Sequence, residues 1–309
     1  MKSVQDGHLK SASSPSYFIM TINMNSPKKR VAEKRRKFLS IVMRSFFSSV
    51  ISCQELPGYF EEEVVAECGA SGYDYVETGK ESAVMWRKED FDGETTGLKT
   101  TDTWIRELRG SLGSDASELL SRIALVKLTS KASKQVVLAA SWHGPHNNSD
   151  DEKKILVFDC LTAFLAKVVE EKEIPSYIIG GDFNLDTIKA RLPDNVVVSN
   201  YELSPRQTQK QEKSHCYIPH KDNFVLFPNK ELRVCYARPF LFEDEGTTTS
   251  DFSKDDQAKV EAEMANAATG DTSANPTDML DHDPIISVIQ FTSSSSAVKN
   301  LSKDFEGAL

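Results

Sequence analysis

The sequence predicts a protein of the α/β class, in which short strands and amphipathic helices follow one another along the chain. Apolar runs of about four to eight residues, bounded by glycine, proline or polar turns, recur along the chain and are typical of buried strands. Residues 150–171 carry apolar side chains at helical spacing, which predicts a long amphipathic helix. Polar residues of a few types follow the apolar runs, and strand ends are where α/β proteins build their sites.

The first elements are a strand, a helix and a second strand. Residues 17–24 are mostly apolar and predict a core strand. Pro27 fits the first turn of a helix, and the apolar positions that follow keep helical spacing. A second strand is predicted over residues 50–53 and ends before Pro57-Gly58.

Seven basic residues lie close together on the predicted first helix, within residues 28–37. A solvated helix face is the plainer interpretation of such a run of charge. Phosphate contact and a nuclear-import signal are the functional alternatives.

The middle of the chain predicts strands that pair with their neighbours in sequence. Residues 73–76 and 82–87 are predicted to pair, and residues 122–128 and 135–142 are predicted to form a hairpin closed by a polar turn. Residues 89–120 are rich in turn formers, so we expect mainly loops there.

The stretch Tyr-Ile-Ile-Gly-Gly-Asp-Phe-Asn-Leu-Asp at residues 177–186 predicts a buried strand that ends in a Gly-Gly turn. Glycine would allow a sharp exit and close approach by a ligand. Asp182 and Asn184 are two residues apart, so on an extended chain they lie on the same face. A carboxylate beside a neutral amide suits a metal-bound phosphate. The plainer alternative is a strand, a turn and an aspartate that caps the next helix.

The last third of the chain predicts three short strands and one long insertion. Two strands are predicted over residues 196–198 and 224–227, and residues 280–289 predict a turn and a last strand. Residues 243–278 contain few large apolar side chains, which predicts a disordered acidic insertion.

The 309-residue chain is 39% hydrophobic and 27% charged, an ordinary globular composition that allows one large domain or two modest ones. We expect a flexible N-terminal tail over residues 1–15, a domain over residues 16–291 and a flexible C-terminal tail over residues 292–309. The net charge of −9 is concentrated, because residues 241–283 hold twelve acids and two lysines while the remainder holds 34 acids and 35 bases. An acidic total argues against a general nucleic-acid coat protein, but a nearly neutral domain with one acidic insertion argues much less against nucleic-acid binding.

The cysteines and the N-terminal residues predict an intracellular protein, cytoplasmic or nuclear. The five cysteines are odd in number, scattered and free of CxxC spacing, so we expect reduced thiols and no structural zinc. The first sixteen residues lack the apolar segment of a secretory signal, and no apolar run approaches the roughly 20 residues of a membrane helix.

Eight residues of the types that metal-phosphate chemistry uses end or flank the apolar runs. Singly, each has a plainer interpretation: a histidine after a strand is usually a satisfied structural residue, and a glutamate before Pro-Gly is usually a solvated turn residue. Together they predict a site at the strand ends. The eight residues are Asn23, Glu55, His143, Asp182, Asn184, Asp222, Asp281 and His282.

These residues belong to motifs that resemble those of the endonuclease/exonuclease/phosphatase superfamily, whose fold is that of pancreatic-type deoxyribonuclease. The motifs occur in family order over about residues 16–290, and Gly-Asp-Phe-Asn together with Asp-His-x-Pro is the specific pair. Glu81 and Arg122 stand in stretches that resemble the deoxyribonuclease branch. The motifs are Thr21-Ile-Asn23, Gln54-Glu55, Ser141-Trp-His143, Gly181-Asp-Phe-Asn184, Asp222-Asn-Phe-Val225 and Asp281-His-Asp-Pro-Ile285.

The resemblance implies a four-layer sandwich of two packed mixed β-sheets flanked by helices. It also implies hydrolysis of phosphate esters by metal-activated water with histidine acid/base assistance, using Mg²⁺ or, in its place, Mn²⁺ or Ca²⁺. Arg122 would contact the substrate phosphate, and Glu81 would support His143. The implied metal ligands are Asn23, Glu55 and Asp281, and the implied catalytic residues are His143, Asp182, Asn184, Asp222 and His282.

The leading functional hypothesis is a monomeric nuclease that hydrolyses phosphodiester bonds of DNA or RNA. Arg122, the two histidines and the basic first helix favour a polyanionic substrate. One alternative is a phosphatase or phosphodiesterase acting on inositol phosphates, lipid headgroups or nucleotides. Another is a catalytically inactive binding protein on the same fold. Two departures from the family pattern are Leu280 in place of the usual serine and Lys221 in place of an apolar residue before Asp222.

Overall fold

The structure is a computed structural model. It describes residues 15–24, 48–58, 60–70, 72–79, 81–96, 106, 119–145, 151–185, 196–199, 223–228, 232–239 and 285–291. Four predicted segments lie outside these residues, apart from residue 15 of the N-terminal tail. They are the first helix with its basic cluster, the acidic insertion and the two tails.

The described part of the chain forms two six-stranded sheets. The strands are β1 (Ser16–Asn23), β2 (Val50–Gln54), β3 (Tyr73–Thr78), β4 (Ser82–Arg87), β5 (Phe91–Thr95), β6 (Ile123–Ser130), β7 (Val136–His143), β8 (Tyr177–Asp182), β9 (Val196–Ser199), β10 (Asn223–Pro228), β11 (Leu232–Pro239) and β12 (Ile285–Phe291). The first sheet has the order β11-β12-β1-β2-β4-β3, and the second has the order β5-β6-β7-β8-β10-β9.

Each sheet contains one parallel pair of strands among antiparallel neighbours. In the first sheet β1 and β2 are parallel, and Asn23 lies beside Gln54. In the second sheet β7 and β8 are parallel, and His143 lies beside Asp182. Because parallel neighbours end at the same edge of a sheet, the polar residues at the ends of these four strands are brought to two adjoining edges.

The two sheets pack face to face around an apolar core. Tyr17 and Ile19 of β1 meet Val126 of β6 and Ile178 of β8, and all four side chains are buried. Burying an aliphatic side chain of this size contributes about 1.5–3 kcal/mol. At the end of β1 far from Asn23, the Tyr17 hydroxyl lies 2.5 Å from Ser130 Oγ, so the one polar atom of this ring has a partner in the other sheet.

A long helix, α2 (Asp151–Glu171), covers the outer face of the second sheet, as the sequence predicts. Its apolar side, represented by Phe158, Leu161 and Leu165, packs on Trp142 and Ile179 of β7 and β8. This packing explains why the helix forms here, because burial of one apolar face stabilises a helix more than propensity does.

A π-helical segment (Phe60–Val65) and the short helix α1 (Ala66–Ala70) lie against the first sheet. The Phe60 ring meets Tyr75 of β3 edge-on, with centroids 6.1 Å apart. Burial, reinforced by the nearby Cys68 of α1, raises the pKa of the Cys53 thiol well above its usual value. Helices therefore flank both sheets, and the predicted four-layer sandwich is confirmed. Among the described residues, no helix is long and apolar enough to cross a membrane.

The two glycines at positions 180 and 181 do not form the turn predicted from the sequence. Both lie inside β8, which continues to Asp182. A Cβ atom at Gly180 would lie 2.7 Å from Ser52 Cβ and 2.8 Å from Thr21 Cβ, across the interface between the sheets. Gly180 is required because the two sheets approach closely at this point.

The sequence pattern predicts neither β5 nor β11. β5 lies in the region expected to be loops, and only Phe91 of its five residues is buried. β11 has a register shift between Val234 and Tyr236, which breaks the alternation that marks a strand. Both are edge strands, and such strands are held by pairing more than by burial of an apolar face. The other predicted strands are found with bounds within about two residues of those expected.

Candidate active site

The candidate site lies where the ends of β1, β2, β7 and β8 meet. Asn23 ends β1, Glu55 follows β2, His143 ends β7 and Asp182 ends β8. Side chains alternate between the two faces of a strand, so the residues at these strand ends can point inward between the two sheets. Asn23, His143 and Asp182 are nearly inaccessible to solvent. The Glu55 side chain is 23% exposed, so the site opens to solvent on its side.

Asn23 joins the two sheets at this point. Its Nδ2 donates to Asp182 Oδ2 at 2.9 Å and to Glu55 Oε1 at 3.2 Å. An ionised carboxylate offers only acceptors, so an amide with two N–H groups can hold both at once. The contacts place two carboxylates from different sheets beside each other, an arrangement that a cation would stabilise.

His143 lies between two glutamates. Its Nδ1 lies 2.6 Å from Glu81 Oε2, and its Nε2 lies 3.4 Å from Glu55 Oε1. Nε2 is buried and makes no well-formed hydrogen bond within the described part of the chain. Arg122 Nη1 lies 3.7 Å from the same Glu81 oxygen, so Glu81 is shared by a histidine and an arginine.

The surroundings of His143 favour its protonated form. Burial alone would lower the pKa of His143, but the Glu55 and Glu81 carboxylates, with a contribution from Asp182, raise it to about 9. In turn, the contact with His143 lowers the pKa of Glu81. The two side chains therefore behave as an ion pair at neutral pH.

Two of the four described non-glycine residues with a positive φ lie at the site, and the other two, Lys134 and Glu173, lie elsewhere. Glu55 has a φ of 50° and Asn184 a φ of 52°, and both values lie in the left-handed region that residues other than glycine rarely adopt. Strain of this kind is typically found at functional positions. The predicted extended geometry of Asp182 and Asn184 is wrong, because β8 ends at Asp182 and the chain turns. The two residues are still close, since the Asn184 N–H donates to Asp182 Oδ1 at 3.2 Å.

Gly144 is a part of the site that was not predicted from the sequence. Its carbonyl oxygen accepts from Arg122 Nη1 and from Asn184 Nδ2, both at 3.4 Å. A Cβ atom at Gly144 would lie 2.3 Å from the Phe183 carbonyl oxygen, so only glycine fits there. The loops after β7 and β8 therefore lie directly against each other. The glycine after His143 was the available signal.

Of the residues predicted for the site, the structure brings seven together. They are Asn23, Glu55, Glu81, Arg122, His143, Asp182 and Asn184. Asp222, Asp281 and His282 lie outside the described residues.

Three ligand atoms of the site could hold a metal ion. One atom each of Glu55, His143 and Asp182 lie within 4.8 Å of one another. The chemistry of this set fits a divalent cation, because two carboxylates face each other and share a single neutral amide. Oxygen-rich sets suit Mg²⁺, Mn²⁺ and Ca²⁺, and the histidine nitrogen makes Mn²⁺ the best tolerated of the three if all three residues bind.

Comparison with known proteins rests on structure, since no protein-family model and no curated protein matches the sequence. An endonuclease/exonuclease/phosphatase from Bacteroides vulgatus superposes with a TM-score of 0.58 at 13% identity, covering 90% of this chain and 100% of that one. This chain has the endonuclease/exonuclease/phosphatase fold. D. rerio TDP2, in complex with a single-strand DNA product, shares the fold with a TM-score of 0.55 at 15% identity, covering 89% and 99%. A mannosyl-6-phosphatase from Bacteroides thetaiotaomicron has a TM-score of 0.56 at 12% identity, covering 90% and 100%.

The endonuclease/exonuclease/phosphatase fold suggested by the motifs is thus confirmed. At identities of 12–15% the likeness concerns the fold, and the chemistry has to be argued from the side chains of this chain.

Proposed function

We propose that this protein is a magnesium-dependent phosphoric ester hydrolase that acts on phosphodiester bonds of nucleic acid. The observation that carries the proposal is the buried arrangement in which Asn23 holds Glu55 and Asp182 while Glu55 and Glu81 flank His143. It gathers a cation-binding carboxylate set and a proton donor at one point.

Glu55 and Asn23, with Asp281 from the motif before β12, would hold the cation. When bound, it would polarise a phosphoryl oxygen and neutralise the negative charge that develops on it. The distance that the chain can span supports the inclusion of Asp281. Ile285 pairs with Thr21, two residues before Asn23. Four residues of chain reach at most about 14 Å.

His143 is suited to act as a general acid. Its Nδ1 is held by Glu81, so Nε2 is the atom that can give a proton to the leaving oxygen. Because its pKa is raised to about 9, the ring carries that proton at neutral pH. Loss of a general acid lowers the rate by about 10²–10⁴.

Asp182 and Asn184 would orient the attacking water and the scissile phosphate. Asp182 is fixed by Asn23 and by the Asn184 N–H, which keeps its carboxylate in one orientation. The Asp222–His282 pair would serve as the second acid/base unit. The pairing of β10 with β8 supports placing this pair at the site. Asn223 follows Asp222 directly in the chain, and Asn223 pairs with Asp182.

The substrate assignment rests on charge. Arg122 lies beside His143 with its side chain 20% exposed, and guanidinium is well matched to a phosphodiester oxygen. The seven basic residues within residues 28–37, which follow Asn23 in the chain, would offer further positive charge to a polyanionic substrate. TDP2 was crystallised with a DNA product, which is consistent with a nucleic-acid substrate on this fold. Hydrolysis of a sugar, inositol or nucleotide phosphate is the alternative, and the mannosyl-6-phosphatase with the same fold favours testing it.

The test is hydrolysis of a substrate panel with Mg²⁺ or with EDTA. The panel contains supercoiled plasmid, single-stranded DNA, RNA, mannose 6-phosphate, inositol phosphates and nucleotides. The proteins are the wild type, Glu55→Gln, His143→Asn and the control Glu94→Gln, which alters an exposed glutamate on β5.

We expect Mg²⁺-dependent cleavage of nucleic acid by the wild type and Glu94→Gln, loss of cleavage in Glu55→Gln, and a rate lower by about 10²–10⁴ in His143→Asn. Binding of a nucleic-acid substrate should weaken steeply as salt is raised, because counterions are released on binding. Cleavage of a small phosphate ester alone would select the alternative. Equal activity in all four proteins would refute the assigned site.

A further inference from the structure

A buried polar network joins the two sheets directly beneath the candidate site. Gln54 Nε2 donates to Ser141 Oγ at 3.0 Å, and Thr21 Oγ1 donates to Gln54 Oε1 at 3.3 Å. Ser141 Oγ donates in turn to the Cys53 carbonyl at 2.7 Å. Gln54 and Ser141 have no exposed surface, and Thr21 is 1% exposed.

Each side chain of this network stands one or two residues before a residue of the site. Thr21 precedes Asn23 on β1, and Ser141 precedes His143 on β7. Gln54 immediately precedes Glu55, which has the strained backbone. Residues two apart on a strand share a face, so the network lies in the layer below the site between the same two sheets.

Burying polar side chains in the core costs free energy, so the network needs a compensating role. Burying an amide requires that its hydrogen bonds be met, whereas an apolar side chain of the same size would pack without that requirement. The two sheets are also very close here, since Gly180 leaves no room for a Cβ atom against Thr21 and Ser52. A directional bond at this point fixes how far one sheet slides along the other, which an apolar contact does not.

We propose that Gln54 is a positioning residue that sets the register between the two sheets and thereby the distance from Glu55 to His143 and Asp182. Its amide bonds to Thr21, Ser141 and the Gly180 carbonyl oxygen, and it acts through the strands that carry the site residues. The inference rests on the proposed function of the site and adds a residue that determines its geometry.

The test compares three variants. Gln54→Met keeps an unbranched chain of similar size and removes the three hydrogen bonds of the amide, which join it to Thr21, Ser141 and the Gly180 carbonyl oxygen. Ser141→Ala removes the same Gln54–Ser141 bond from the other sheet. Ser52→Ala is the matched control, because Ser52 Oγ donates across the same interface to the Ala140 carbonyl at 3.0 Å, one layer farther from the site.

The kinetic result expected is a fall in kcat of about 10- to 100-fold in Gln54→Met and in Ser141→Ala, with KM little changed, because small misplacements of catalytic groups are that costly. Ser52→Ala should keep the wild-type kcat even though it loses a comparable cross-sheet bond. The double variant Gln54→Met/Ser141→Ala should lose less than the product of the two single losses, since both single variants remove the Gln54–Ser141 bond. Equal kcat values in Gln54→Met and Ser52→Ala would overturn the proposal.

A second readout does not depend on activity. In metal-free crystal structures, we expect the contact between Asn23 Nδ2 and Asp182, which joins the two sheets, to lengthen from 2.9 Å to beyond about 3.5 Å in Gln54→Met and to be unchanged in Ser52→Ala. The Asn23–Glu55 contact lies within the first sheet and should persist in both variants. If the Asn23–Asp182 contact persists in Gln54→Met, Gln54 does not position the site. This comparison decides the proposal even if the wild type hydrolyses none of the substrates, so failure of the positioning role and failure of the proposed function are distinguishable.

Discussion

Raising the pH should destabilise the metal-free protein through His143. The folded chain raises the pKa of this imidazole from 6.5 to about 9, which means that it binds the proton more tightly than the unfolded chain does. The stabilisation is therefore fully present below pH 6.5 and is lost as the pH rises through about 9. The raised pKa corresponds to about 3 kcal/mol in the free energy of unfolding, and the imidazole ring is buried. Glu81 is the other half of the same ion pair and adds no separate contribution.

The assay is urea unfolding in EDTA at several pH values between 6 and 10, with the wild type and His143→Asn measured side by side. Cysteines, tyrosines and the amino terminus titrate in both proteins, so the difference between the two curves isolates the histidine. We expect the wild type to lose about 3 kcal/mol more than the variant between pH 6.5 and 9. Parallel curves over that interval would refute the assigned ion pair, and a wild type that gains stability would reverse its sign.

Three further substitutions test the packing and the backbone. Gly180→Ala should destabilise the protein by about 1–3 kcal/mol, because the new Cβ overpacks the interface between the sheets. The control Gly58→Ala should not destabilise the protein, because nothing lies within 4 Å of its new Cβ. Equal melting temperatures for the two variants would contradict the close approach of the sheets. Glu173→Gly should raise the stability by about 1 kcal/mol and keep full activity, because glycine relieves the left-handed backbone at a φ of 52°; a loss of stability would disprove the strain. Tyr17→Phe should cost about 1 kcal/mol in chemical unfolding and leave activity intact; unchanged stability would show that its bond to the other sheet contributes nothing.

The sequence was sufficient to predict the strands that carry the site and most of its residue types. β1, β7 and β8 have apolar runs followed by Asn23, His143 and Asp182, and this pattern is local, so it can be read from one chain. That these residues meet in space depends on the packing of one sheet on the other. The motifs, through the family resemblance, supplied that information.

The role of Gly180 and the conformation of Asn184 could not be predicted, because both depend on non-local contacts. A glycine pair looks like a turn when the facing sheet is unknown, and only the distance to Thr21 and Ser52 shows its purpose. Gln54 is a similar case. Its place in the chain marks it as the neighbour of Glu55, but its amide acquires a role only when Ser141 of the other sheet is placed against it.

The central claim is that the strand ends form a divalent-cation site, and calorimetric titration of Mn²⁺ tests it most directly. The titration is made with the wild type, Glu55→Gln and the exposed control Glu94→Gln. We predict binding at one site in the wild type and in Glu94→Gln, and loss of binding in Glu55→Gln. Binding that is equal in all three proteins, or no binding in the wild type, would contradict the account.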